Sequence, residues 1–203
     1  MSIVATDSIA SFFDEIVEDA LKARHVEASQ SAARYLVGVL SDYAHPDGLA
    51  AFGRPLALSL QEALVTSAPA ERFERLRQLG DAVLYASGFF ADHFAARGIE
   101  NRYVFSIGAR AYVSAGAMLR VTSSTSVEEQ ANSVDLFDEL SSRFDEFSSV
   151  VGEVANITLA SGATGPKGLL KLYERWVKTG SETVSDALAS HGIFPTRKVK
   201  GLQ

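Results

Sequence analysis

Apolar residues recur at steps of three and four along almost the whole chain, and no stretch alternates with period two, so the pattern predicts an all-α protein. Ile9, Phe12, Phe13, Ile16, Val17 and Leu21 form one stripe of a first helix beginning near Asp7 or Ser8. Ala32, Tyr35, Leu36, Val39, Leu40 and Tyr43 form a second stripe. "HPDG" at 45–48 is turn chemistry, and Pro55 suits the first turn of a third helix carrying Leu56, Leu60, Ala63 and Leu64. Pro69 opens a fourth helix, whose polar start "ERFERLRQ" gives way after Gly80 to "DAVLYASGFFADHF". Gly98 stops it and Asn101 caps the fifth.

The short loop between the fourth and fifth helices predicts an antiparallel hairpin. With residue i facing roughly 199 − i, Leu84, Gly88, Ala91 and Ala95 fall opposite Ala115, Ala111, Gly108 and Val104. Small residues let two backbones approach closely, a packing reason for glycines that otherwise cost about 1 kcal/mol each in a helix. Arg110 stands off this seam. Three readings apply to it: a surface arginine lying over the bundle, half of an ion pair with Asp81 or Asp92, or an anion-binding group.

Ser126 with Glu129 has capping-box spacing at the start of a long sixth helix. There Phe137, Leu140, Phe144, Phe147, Val151 and Val154 follow heptad steps, which suit packing in the chain's own bundle or, alternatively, a dimer seam. "ASGATGPKG" at 160–168 reads as a hinge. Beyond it Leu169, Leu172, Tyr173, Trp176 and Val177 share one face of a strongly amphipathic helix, Gly180 ends it, and Ser181 caps a last short helix closed by Gly192. The fold expected is an all-α bundle of about seven to eight helices with a central antiparallel hairpin and a hinged C-terminal helical pair. Its parts are a body over 1–160, a C-terminal helical hairpin over 165–195 docked on or hinged to that body, and a basic flexible tail over 196–203.

Composition narrows the chemistry. The 203 residues, 47% hydrophobic and 22% charged, are enough to bury a real core. No cysteine is present, which excludes thiolate catalysis, disulfides, iron–sulfur clusters and thiol-rich zinc sites, and fits a cytoplasmic location. The first residues do not read as a secretory signal, and no apolar stretch reaches the length of about 20 residues that a bilayer span needs. The net charge of −6 is uneven: from Pro166 onward seven basic residues oppose three acidic ones, a net of +4, which leaves −10 for the rest. Such a tail suits nucleic acid or an anionic surface, or docking on its own acidic body.

The four histidines are scattered, and none stands in an H-E-x-x-H or E-x-x-H arrangement; no phosphate loop and no G-x-S-x-G elbow occurs. Neither a metal nor a cofactor is expected. The carboxylates Asp135, Asp138, Glu139, Asp145 and Glu146 could serve acid–base work or hold a hard cation, but a solvated helix face explains them more simply. His93, beside Asp92 and near Tyr85, Tyr103 and Tyr112, is the best polar constellation, and with Arg110 it could line a pocket between helices four and five. Haem binding through His93 is a weaker version of that idea.

"LRQLGDAVLYASGFFADHF", "YVFSIGARAY", "FDELSSRFDEF" and "LLKLYERWVKTGSETVSDALASHGIFP" resemble, in order and spacing, a family of uncharacterised all-helical bacterial proteins of about this length. The resemblance covers most of the chain from residue 70 onward, through positions such as Gly80, Asp81, Gly88, Gly108, Tyr112, Leu172, Tyr173, Trp176 and Gly180, and leaves Arg110 outside. It implies a bacterial source and a shared fold, not a reaction. The hinge, the face of Leu172, Tyr173 and Trp176, the uneven charge and the missing catalytic motifs lead to the expected function: a non-enzymatic cytoplasmic interaction or regulatory module whose segment from about residue 165 meets a protein partner, with self-association as a homodimer the other partner expected. The alternative is a small-molecule or lipid sensor using the pocket near His93.

Overall fold

The structure is a computed structural model that describes residues 3–43, 54–122 and 127–196, without the side chains of 3–8, 92, 93, 121, 122 and 127–134. The turn at 45–48, the cap at Ser126 and Glu129, and the tail from residue 197 lie outside the described residues. Ten α-helices and no strand occur among the described residues. They are α1 (Ile3–Arg24), α2 (Gln30–Tyr43), α3 (Leu56–Val65), α4 (Pro69–Phe89), α5 (Ala91–Ala96), α6 (Asn101–Thr122), α7 (Val127–Ser142), α8 (Phe144–Gly162), α9 (Gly165–Thr179) and α10 (Glu182–Ser190). None of them is long and apolar enough to cross a membrane.

Two helices that the apolar pattern reads as continuous are each divided. The fourth breaks at Phe90, where φ of −123° and ψ of 28° leave helical geometry and separate α4 from α5. The sixth breaks at Arg143, yet helical bonds run through it: Arg143 N–H donates to Glu139 O at 3.1 Å and Phe147 N–H to Arg143 O at 3.1 Å. Neither break coincides with glycine or proline, so the sequence carries no local signal for it.

The chain forms two compact units, residues 1–152 and 153–203, with the boundary inside α8 rather than at the Gly-rich stretch 160–168. In the first unit α6 is the central helix, packed on α3, α4, α5 and α7, while α2 joins α1, α4 and α7. Leu36, Leu40, Leu76, Leu84, Val104, Tyr112, Leu140 and Phe147 are fully buried there. Phe137, Phe144 and Val151 are buried as well, so the heptad stripe as far as Val151 is spent on this core, and Val154, in the second unit, is also buried.

Close approach explains the glycines of α4 and α6, in a register different from the one the sequence predicts. A methyl on Gly80 would sit 2.5 Å from Tyr112 Cε1, and one on Gly108 would run into the Phe144 ring and lie 2.9 Å from Val83. Pairing Gly80 with Tyr112 and Val83 with Gly108 runs antiparallel, but about two turns away from the predicted seam. The physical reason is α5, which occupies residues that the expectation assigns to the hairpin. Gly88 faces α8 instead, where a methyl would meet Val151 Cγ1 at 2.5 Å and Gly152 N at 2.7 Å.

Candidate functional site

The chemically most unusual group in the first unit is Asp81, buried at 3% exposure in the middle of α4. Tyr35 of α2 donates its hydroxyl to Asp81 Oδ1 at 2.5 Å, and Tyr112 of α6 donates to the same oxygen at 2.9 Å. Arg77, one turn earlier on α4, places Nη1 2.7 Å from Oδ2. Its other donors meet Glu74, whose carboxyl is held below the usual range by that bond. Two tyrosine donors and an arginine are strong partners for a carboxylate, yet burial outweighs them and pushes Asp81 up to about 6. Burial, reinforced by the Asp81 charge, also raises Tyr35 and Tyr112, so both hydroxyls stay protonated donors.

Perturbed ionisation marks candidate active sites, but a reaction also needs access. Tyr112 is completely buried, and its ring packs on Tyr35 at 6.2 Å, Phe137 at 5.8 Å and Phe144 at 5.9 Å. The hydroxyls of both tyrosines are spent on Asp81. This arrangement does structural work: it ties α2, α4 and α6 together at one point.

Of the pocket residues expected between helices four and five, Tyr85 and Tyr112 are buried and Arg110 is exposed. Tyr112 fills the interior. Tyr85 is buried in an aromatic stack, 5.2 Å from the ring of Tyr43 and 4.6 Å from that of Phe89. The side chains of His93 and Asp92 lie outside the described residues. Arg110 is exposed and helps to line an open groove of about 350 Å³ between α3 and α6, with Leu60, Leu64 and Ile107. Asp81, a candidate partner for Arg110, pairs with Arg77 instead, because a residue four positions away on the same helix already faces it.

In the second unit α9 carries two parallel apolar stripes, offset by one residue: 169, 172, 176 and 170, 173, 177. Both have helical spacing. A polar network chooses between them. Arg175 Nε donates to Asn156 Oδ1 at 2.7 Å, Asn156 Nδ2 donates to Glu153 Oε2 at 3.0 Å, and Ser181 Oγ reaches Glu153 Oε1 at 3.3 Å. Glu153 and Asn156 are buried, so this chain fixes the rotation of α9 about its axis. Leu172 and Trp176 then turn inward and join Ala163, Val184 and Leu188 in the core of the unit. Gly180, left-handed at φ 62°, lets the chain leave α9 sharply, and Ser181 caps α10 by accepting from Val184 N–H.

Two of the three residues expected to meet a partner are therefore core. Leu172 is fully buried and Trp176 nearly so, and only Tyr173 remains outside. The second stripe, which sequence reading did not separate from the first, faces solvent: Leu170 is 58% exposed, Tyr173 40% and Val177 53%. Exposed Lys167 and Lys171 lie beside it. The signal for Leu170 was present in the offset spacing, but only the fold says which stripe points outward.

Among the described residues, no group of three or more His, Cys, Asp or Glu is placed to hold a metal ion. Comparison with known proteins returns no match to a family model, a curated protein or a solved structure.

Proposed function

We propose that the protein is a non-enzymatic helical interaction module that acts in the cytoplasm, and that its contact surface is the outer face of α9. The observation that carries this reading is the solvent-exposed stripe of Leu170, Tyr173 and Val177 on a helix whose other stripe already holds its unit together. An isolated exposed leucine needs no explanation. Three large apolar residues in consecutive turns of one helix, beside lysines, are a different matter. The regulatory or scaffolding character of the module rests on the same face, with the first unit as a rigid body built around Asp81.

The test is position-specific photo-crosslinking in living cells. A photo-reactive phenylalanine analogue replaces Tyr173 in one variant and Asp186, exposed on α10, in a control. Adducts to protein or to lipid at position 173 and none at 186 support a contact surface on α9. Equal labelling at both, or none at either, removes the basis for this reading.

A further inference from the structure

We propose that the outer face of α9 docks on the surface of an anionic lipid bilayer, an inference that rests on reading that face as a contact surface. Leu170 and Val177 are separated by two turns, roughly 10 Å along the helix at about 1.5 Å per residue. A stable protein interface takes about 800 Å² from each partner, more than three half-exposed side chains can supply. The stripe is also a ridge on a helix surface, not a groove that could receive a partner helix. A bilayer surface accepts such a ridge, because headgroups part around it and the apolar side chains reach the acyl boundary.

Charge selects an anionic surface. At about 100° per residue, Lys167, Lys171, Lys178 and Glu174 all project on the flank next to Leu170, so that flank carries three lysines against one carboxylate. Lysine stems can lie along the apolar boundary while the ammonium groups meet lipid phosphates. Tyr173, with an apolar ring and a polar tip, suits the depth of the headgroups. Arg175 projects beyond Lys171 on the same side, toward the inner face, and is committed to Asn156.

The same unit repeats this chemistry at its end. Phe194 is 77% exposed after α10, and the sequence continues through Arg197, Lys198 and Lys200. The chain before Pro166, at −10, is repelled by an anionic surface, which restricts attachment to this part of the molecule. Nucleic acid also attracts lysines but has no use for a continuous apolar stripe.

The experiment is flotation of the purified full chain with vesicles of phosphatidylcholine alone and of phosphatidylcholine with phosphatidylglycerol in equal parts, at low and high salt. The expected result is retention on the anionic vesicles only, weakened by salt. Val177→Glu should reduce retention at least tenfold, and Lys167→Gln with Lys171→Gln about 25-fold, at roughly fivefold per lysine. Unchanged urea unfolding of each variant shows that the losses are not unfolding. Absence of retention on anionic vesicles, equal retention on neutral ones, or full retention of Val177→Glu overturns the proposal. If vesicles fail while the analogue at position 173 gives protein adducts in cells, the lipid assignment falls and the contact-surface reading stands. If both fail, both fall.

Discussion

Asp81 makes a prediction whose sign distinguishes two views of the first unit. Its carboxyl is raised from an ordinary value of 3.8 to about 6 by burial, against the pull of Tyr35, Arg77 and Tyr112. In the unfolded chain the group loses its proton near 3.8, whereas the folded protein keeps it until about 6. Between these values the folded state binds more protons, so this group's contribution to stability is complete below pH 3.8 and is lost as pH rises through 6. A shift of about two pH units corresponds to about 3 kcal/mol. Asp81→Asn is the reference, because the amide is the same size, accepts from both tyrosines and does not titrate; its contact with Arg77 adds an offset that does not vary with pH. Glu74 titrates in both proteins and cancels in the difference. Urea unfolding followed by far-UV circular dichroism, with Trp176 fluorescence separating the transition of the second unit, should show the wild-type stability relative to Asp81→Asn falling by about 2.5 kcal/mol between pH 4 and pH 7. A flat difference, or one that rises with pH, refutes the reasoning: the hydrogen bonds would then outweigh burial, and Asp81 would be a stabilised carboxylate.

Tyr112→Phe removes one donor to Asp81, and a hydrogen bond to a charged group is worth about 1.5–3 kcal/mol, so at pH 7.5 the loss in urea unfolding should fall in that range and shrink at pH 4.5. Gly88→Ala should lower the melting temperature, since its methyl meets the backbone of α8, and overpacking at about 1–3 kcal/mol exceeds the helix gain of about 1 kcal/mol. Gly38→Ala, in an interior turn of α2 with nothing within 4 Å of the new methyl, should raise stability by about 0.5–1 kcal/mol; a decrease contradicts the open space found there. Trp176→Ala should cost the second unit about 3–5 kcal/mol, read from its calorimetric transition, because the ring lies inside that core.

Helical periodicity made the all-α class legible, since stripes such as Leu36, Val39 and Leu40 or Leu140, Phe144 and Phe147 are the ones buried. Breaks without a breaker residue were not legible. Phe90 and Arg143 are ordinary helix residues, and their geometry depends on what surrounds them in the folded unit. The small residues of α4 and α6 announced a close approach but not its register, because glycine spacing alone fits more than one alignment. Gly88 found Val151 and Gly152 of α8, a pairing that no local pattern contains.

The polar centre was half legible. Asp81 and Tyr112 stood out, and Arg77 four residues before Asp81 is a pairing that helix geometry favours. Tyr35 looked like any other core aromatic, since a periodic stripe does not say whether a hydroxyl finds a carboxylate 46 residues away. On α9 the two offset stripes are equally apolar, so hydrophobicity could not rank them. Rotation was decided by Arg175, Asn156 and Glu153, which are polar residues at spacings that no short motif describes.

The central claim is that α9 has two faces with separate tasks, the inner holding its unit and the outer making contact. Measuring the unfolding free energy of Val177→Glu and its retention on anionic vesicles in the same preparation tests this most directly. The account predicts stability within about 0.5 kcal/mol of wild type, as for an exposed site, together with retention lost at least tenfold. Loss of both together would mean that Val177 belongs to the core, and loss of neither would mean that the outer face does not touch the bilayer.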